Sequence, residues 1–524
     1  MTGGVDGQVS ELLDLARTLV EAGNLAGAGE ILTTLNVVAP SNFGVLKLLG
    51  IVLATEGRFS EAARMLDQAV AINDRDPVAW NVLSVCRFKA GDYQAALDGA
   101  DRAITLRQGY GEARNNRGNA LNRLGRHAEA LGDFKRALAI LPGDAEIHVN
   151  IGNVLRDLGQ AAASVEQLDR AIAIDPGIVD AHYNRGNALQ DLGRHGEAID
   201  SYDAALRIDP NHVDTHWNRS LCNLLLGNFA AGWAEYEWRW RRSAAESRPR
   251  SFPCPLWLGQ EDLAGKTILL HCEQGQGDSI QFIRYAPAVA RLGATVIVEA
   301  FPPLVELFSA IDGIAEVIPR GAAIPTVDFH CPLMSLPLAL GGEALVALPF
   351  ELRATAEMQH KWRGVIGDEG RLNVGVVFSG SPTHKGDQRR SIPASALFAA
   401  LPVGPAYHLL QTELRGGDRA FVETRPDVGF HGDQIGGFAD TAGLCAAMDV
   451  VITVDTSVAH LSGALGRPTW ILLPFDPDWR WRLETEASPW YPSAKLYRQV
   501  ERGDWSHPLA RIGADLSKHR YCAA

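Results

Sequence analysis

Three short segments in the second half of the sequence hold residues whose types and spacing can do chemistry. The first, EQGQGDSIQFIRY, sets Gly275, Gly277 and Asp278 where an apolar run gives way to a helical one. Two glycines let the backbone approach a substrate closely, and an aspartate at such a turn can take a proton as general base. Asp-Ser opening a helix is also a good N-cap, and the two roles are compatible. The second, FSGSPTHKGDQRRSIP, carries His384, Lys385, Arg389 and Arg390 directly after an apolar run. A loop of this kind suits a phosphate clamp, against the ordinary alternative of a solvated surface loop. The third, DTAGLCAAMDVVITVDTSVAHLSGALGRPTWILLP, places Asp455, Thr456 and Ser457 between a buried strand and a helix. The free amides and dipole of that helix favour a pyrophosphate. N-capping is the plain alternative for Thr456 and Ser457, and core packing for His460, one turn further on. Asp455, His460 and Gln411 are candidates to position a sugar and ribose. Asp440-Thr441 reads as a helix cap. Asp476-Pro477-Asp478 has the form of a metal-binding DxD but reads as a loop former, so no metal is assigned.

These segments need a scaffold, and from Lys266 onward the chain supplies one. KTILLHC, ATVIVEA and VDFHCPL read as short apolar strands separated by helical stretches. After a bridging helix near 360–366 the rhythm restarts with NVGVVFSG, AYHLLQ, VVITV and TWILL. Alternation of this kind predicts two Rossmann-like lobes, each a parallel sheet wrapped by helices, with ligand at the carboxyl ends of the strands.

The first half is organised differently. Glycines recur at 23, 57, 91, 125, 159, 193 and 227, every interval being 34 residues. Five residues after each sits a small residue (Ala28, Ala62, Ala96, Ala130, Ser164, Ala198, Gly232), and twelve after it alanine recurs at 69, 103, 137, 171 and 205. A glycine that stops one helix and small residues that let the next approach it describe a stack of helical pairs. The pattern resembles the tetratricopeptide repeat over about residues 10–242, which implies a solenoid with a concave binding surface. Asparagine recurs in phase at Asn116, Asn150, Asn184 and Asn218, with a second series at Asn119, Asn153 and Asn187. The first series resembles the ladder of the O-linked N-acetylglucosamine transferases, whose amides clasp an extended acceptor peptide; tying neighbouring helices together is the structural alternative.

The catalytic segments, over about residues 265–510, resemble the lipopolysaccharide heptosyltransferases of glycosyltransferase family 9. That resemblance implies Asp278 as base, Asp455 on the sugar and the residues after it on the donor phosphates. The Trp-rich FDPDWRWRLETEASPWYP and the repeat fusion look instead like the repeat-linked protein glycosyltransferases of bacteria, flagellin modifiers among them.

Taken together, the sequence predicts an all-α tetratricopeptide-repeat solenoid joined to an α/β GT-B-like unit. Its expected divisions are repeats with a capping helix (1–242), a linker (243–265), an acceptor-side lobe (266–355), an interlobe linker (356–372), a nucleotide-sugar-side lobe (373–500) and a tail (501–524). The expected activity is metal-independent, inverting transfer of a sugar from a nucleotide-sugar donor, with no cofactor, to Ser or Thr of a protein such as flagellin or another surface protein. A non-catalytic repeat scaffold and a small-glycan or lipid-glycan transferase are the alternatives. The net charge of −13 argues against a nucleic-acid partner, and seven scattered cysteines without a CxxC pair argue against a zinc site or a disulfide framework. MTGGVDGQVSELLDL lacks a basic region followed by an apolar stretch and no run reaches membrane-spanning length, so a cytoplasmic protein is expected.

Overall fold

A computed structural model describes residues 2–242, 250–342, 350–367, 370–383 and 386–518. The chain divides into two compact units, 1–212 and 213–524.

The first unit is a stack of helical pairs running from Thr2–Glu21 to His195–Ile208. Each pair turns on the glycine the 34-residue period singles out, and Gly23, Gly57, Gly91, Gly125, Gly159 and Gly193 all have positive φ, between 73° and 86°. At Gly57 the closing bonds are Arg58 N–H to Leu53 O (2.9 Å) and Gly57 N–H to Ala54 O (3.0 Å), a Schellman pair that satisfies the last carbonyls of the helix. The small residues five positions on (Ala28, Ala62, Ala96, Ala130, Ser164 and Ala198) have no exposed surface.

A second small column, Gly50, Ser84, Gly118, Gly152 and Gly186, shares the same 34-residue spacing and was not anticipated from sequence. A Cβ on Gly118 would lie 2.6 Å from the Phe134 ring, and one on Gly186 2.4 Å from Tyr202. Each of the four glycines lets the second helix of its pair press a large side chain (Leu66, Phe134, Leu168 or Tyr202) against the first, while Ser84 faces Gly99 and donates to Ala96 O at 2.7 Å.

The second unit opens with one more helical pair, Val213–Leu226 and Phe229–Tyr236, and a 3-10 turn, Glu237–Arg241. The sequence places this pair with the repeats. It groups instead with the α/β part of the chain, because Trp233 packs edge-on against Phe282 and Trp479 at centroid distances of 5.6 and 5.3 Å. Among the described residues, ten parallel strands then form two sheets.

The first sheet consists of β1 (Thr267–His271), β2 (Thr295–Ala300), β3 (Glu316–Pro319) and β4 (Phe329–Pro332), in the order β3-β2-β1-β4. The second consists of β5 (Asn373–Val377), β6 (Ala406–Leu409), β7 (Val428–Phe430), β8 (Val450–Val454), β9 (Thr469–Leu473) and β10 (Ala494–Arg498), ordered β10-β9-β8-β5-β6-β7. Counted from its own first strand, the second sheet runs 3-2-1-4-5-6, the doubly wound order, and the first is its four-strand version. Each sheet reverses direction beside its first strand, between β1 and β4 and between β5 and β8. The loops leaving those strands meet at the crevice where such folds bind ligand.

One apolar cluster spans both lobes, from Ile268 and Leu270 to Val451 and Ile471. The helix Ala356–Ile366 contributes Trp362 to it, against which Gly443 packs so closely that a Cβ would meet the indole at 2.8 Å. The segment from 501, expected to be a tail, includes the helix Ser506–Lys518. Its Leu509, Ile512 and Leu516 complete the core of the second sheet. Among the described residues no helix is long and apolar enough to cross a membrane.

Candidate functional site

The loop after β1 holds the Gly-Asp turn. Helix Gln276–Phe282 begins there, and Asp278 ties back to its start, one carboxylate oxygen accepting from Gly275 N–H at 2.8 Å. Its other oxygen accepts from Arg480 Nη2 at 2.5 Å. Gly277 sits directly on the helix Ser457–Ala464 of the second lobe: a Cβ there would lie 3.3 Å from Ser457 Cα and 3.2 Å from the His460 ring. The two turns therefore meet across the lobes.

Helix Ser457–Ala464 starts at Thr456, whose side chain makes no capping bond. The hydroxyl instead lies 3.2 Å from Thr453 Oγ1, so the capping alternative for Thr456 is not what the structure shows; Ala459 N–H donates to Thr456 O at 3.0 Å, and no side chain caps the amides before it. Asp455 is half-buried on this turn, and its carbonyl accepts from Arg390 Nη1 at 2.7 Å. Burial and the neighbouring Asp478 push its carboxyl up to about 6, against the Trp481 indole, Arg390 and Arg480, which favour the charge. His460 is buried, its Nδ1 3.0 Å from the Tyr491 hydroxyl and its ring stacked on Trp481 at 5.2 Å. Burial and then Arg480 hold it well below the usual histidine range, so the imidazole is neutral where it lies between Tyr491 and Trp481.

The loop after β5 brings Arg390 to the Asp455 turn. Arg389 is exposed, while His384 and Lys385 lie outside the described residues. Buried Asp387 organises this loop, accepting from the Ser391 hydroxyl at 2.9 Å and pairing with Arg415, whose guanidinium also donates to Gly380 O at 3.3 Å. Arg415, from the segment after β6, was not anticipated from sequence. Gln411 accepts from Phe378 N–H at 3.2 Å and donates to Glu413 O at 2.9 Å, tying the loops after β5 and β6 together. Asp440 accepts from Gly436 N–H, just ahead of its helix, at 2.9 Å and from the Trp362 indole at 3.1 Å, so it fastens the helix start and does not cap it. Asp478 accepts from Arg480 N–H at 3.0 Å and shapes the turn it sits on.

Two further groups were missed. Arg480 is the hub between Asp278 and Asp478, and Glu273, at the end of β1, is held by Arg239 at 3.1 and 3.2 Å. Arg239 also donates to Glu237 at 2.6 Å and to Ser335 at 2.7 Å. Burial pushes Glu273 up to about 7, against the pull of Arg239. The only sequence signal was the Trp-Arg-Trp alternation at 238–240 and 479–481, which marks buried arginines lying against indoles.

In the first unit, Asn116 donates to Asn81 Oδ1 at 2.9 Å and Asn150 to Asn115 Oδ1 at 3.0 Å. These amides tie successive repeats. Asn184 is half-buried, and Asn218 falls in the second unit.

The tetratricopeptide repeat family matches residues 13–77, 47–110 and 149–213, and a second description of the same repeat matches 111–144. The N-terminal half is a tetratricopeptide-repeat solenoid. Protein FlbA of Caulobacter vibrioides is 24% identical over 348 residues, covering 56% of this chain and 53% of that protein. The chain thus spans about half the length of this relative. Among solved structures, the TPR protein TTC0263 of Thermus thermophilus is 23% identical with a TM-score of 0.32, covering 35% of this chain and 100% of its own. The APC/C hetero-tetramer Cut9-Hcn1 is 16% identical with a TM-score of 0.38, covering 41% of this chain and 42% of its own.

Proposed function

We propose that the second unit is a GT-B-type glycosyltransferase and that the repeats recruit its protein acceptor. The observation that carries this reading is the meeting of two switch-point turns. The Gly275–Asp278 turn of one doubly wound lobe abuts the uncapped N-terminus of helix Ser457–Ala464 in the other. Two such lobes facing each other suit a nucleotide-sugar, with phosphates on the second lobe and the acceptor on the first.

In this reading the amides at Thr456–Ser457, with Arg390, Arg389 and Lys385, stabilise the charge on the departing phosphate. Arg415 supports the same loop through Asp387. Asp455 addresses the sugar, and Asp278 takes the acceptor hydroxyl proton, a role worth about 10²–10⁴-fold in rate. Gln411 acts by fixing the loops around the nucleotide. The acceptor is Ser or Thr of a protein, flagellin or another surface protein, held through the asparagine face of the repeats.

Calorimetry with a nucleoside diphosphate and the matching nucleoside tests the donor site. Arg390→Ala should weaken the diphosphate at least ten-fold, on the order of one lost charge-assisted bond, and leave the nucleoside nearly unchanged. Equal weakening of both would remove Arg390 from the phosphate site.

A further inference from the structure

We infer that Arg480 is the positioning residue of the transfer site, the group that aims the Asp278 carboxylate across the lobe boundary. This rests on the transferase reading above and names a residue that reading does not require. Three of its N–H groups reach three partners: Nη2 to Asp278 at 2.5 Å, Nη1 to Asp478 at 2.9 Å and Nε to Gln281 Oε1 at 2.6 Å. Asp278 and Gln281 belong to the first lobe, Arg480 and Asp478 to the second. A planar fork can serve divergent acceptors at once, which an ammonium on a flexible stem cannot.

The pose of Arg480 is itself fixed from several sides. Its guanidinium lies 4.2 Å from the centre of the Trp479 ring, and its carbonyl accepts from the Trp490 indole at 2.7 Å. Two residues on, Arg482 takes a φ of 57°, a strained value for a side-chain-bearing residue. The guanidinium of Arg498 holds that corner, donating to the carbonyls of Trp481, Arg482 and Thr485 at 2.5, 2.9 and 3.1 Å. Arg482 in turn donates to Leu226 O at 3.0 Å, at the end of the helix that opens the second unit. A strained turn braced by the half-buried Arg498 places one guanidinium against the aspartate of the opposite lobe.

The surroundings also say what Arg480 does not do. It faces Asp278 and Asp478 directly and acts electrostatically on Asp455. An anionic phosphate would meet the Asp278 and Asp478 carboxylates that Arg480 already pairs with, so the donor phosphates belong with Arg390 and not with Arg480. With one oxygen engaged by Gly275 N–H and the other by Arg480 Nη2, the Asp278 carboxylate is held in one orientation.

The test is steady-state transfer by the full chain, wild type against Arg480→Ala and Arg480→Lys. Arg480→Ala should lower kcat about 100-fold and leave the donor KM within about three-fold, the signature of an interaction that matters in the transition state. Millimolar guanidinium should restore at least ten-fold of the loss, which a purely structural role would not allow. Arg480→Lys, which keeps the charge and fills the same indole-lined slot, should still lose about ten-fold in kcat; it serves if the alanine variant does not fold. An undiminished kcat in Arg480→Lys, a rise in donor KM that matches the fall in kcat/KM, or no rescue of a folded alanine variant would each overturn the assignment. Absence of turnover by the wild type across donors would sink the transferase reading itself.

Discussion

Replacing Glu273 by Gln should make the second unit more stable at alkaline pH and less advantaged at acid pH. Glu273 lies at the carboxyl end of β1 with its carboxyl pushed up to about 7 by burial, from an ordinary 4.5. The native state therefore binds a proton that the unfolded chain has already released between about pH 4.5 and 7. Its contribution to stability is complete below that window and is lost as pH rises through it. At about 1.4 kcal/mol per pH unit, the ionised carboxylate costs up to about 3 kcal/mol above pH 7. Glutamine keeps the shape, needs no proton and can still accept one bond from Arg239, whose charge Glu237 continues to balance. Urea denaturation of both proteins at pH 5 and pH 8.5 checks this. The variant should gain on wild type by about 1–3 kcal/mol between the two pH values. If Glu273→Gln is instead destabilised by about 3–5 kcal/mol at pH 8.5, the Arg239 ion pair outweighs desolvation and the reasoning fails.

The same structure carries three further expectations. Asp278→Asn should abolish transfer and leave nucleoside diphosphate affinity within a few-fold, because the amide can still accept from Gly275 N–H but cannot take the acceptor's proton; wild-type turnover would exclude Asp278 as base. Removing residues 1–212 should leave a second unit that melts cooperatively, whereas removing 1–242 should not, since Trp233, Tyr236 and Arg239 go with the longer deletion; equal melting of the two fragments would contradict the placement of that helical pair. Asn116→Ala with Asn150→Ala should destabilise the first unit by about 1–3 kcal/mol through loss of the bonds to Asn81 and Asn115, read as a lower melting temperature; an unchanged temperature would show that these amides serve only a ligand.

The repeat array was legible because its signal is periodic. Glycine at one phase of 34 residues needs only counting, and each of those glycines has the positive φ that stops a helix. The strands of VVITV and TWILL were legible because they are buried on both faces and read as unbroken apolar runs. β3, β7 and β10 were not, being edge strands whose residues, Glu316 or Lys495 among them, look like loop. The last helical pair keeps the period yet groups with the second unit, because its aromatic residues pack against the α/β part there. The turns at Gly275–Asp278 and Asp455–Ser457 were found from local chemistry. Arg480 was out of reach, since its pairing with Asp278 joins positions about 200 residues apart that only the packing of two lobes brings together.

The central claim is that this chain transfers a sugar from a nucleotide-activated donor, and one measurement tests it most directly. Purified full-length protein is incubated with a panel of nucleotide-sugars, each with and without a cell extract supplying protein acceptors. Release of nucleoside diphosphate or monophosphate and the mass of the acceptor proteins are followed together. The account predicts one donor class whose nucleotide release rises with acceptor, together with a hexose-sized or similar mass increment on Ser or Thr of a protein. Asp278→Asn should show neither signal. Binding of no donor, or retention of protein partners by the repeats with no nucleotide release from any donor, would contradict it and leave the chain a repeat-based interaction protein.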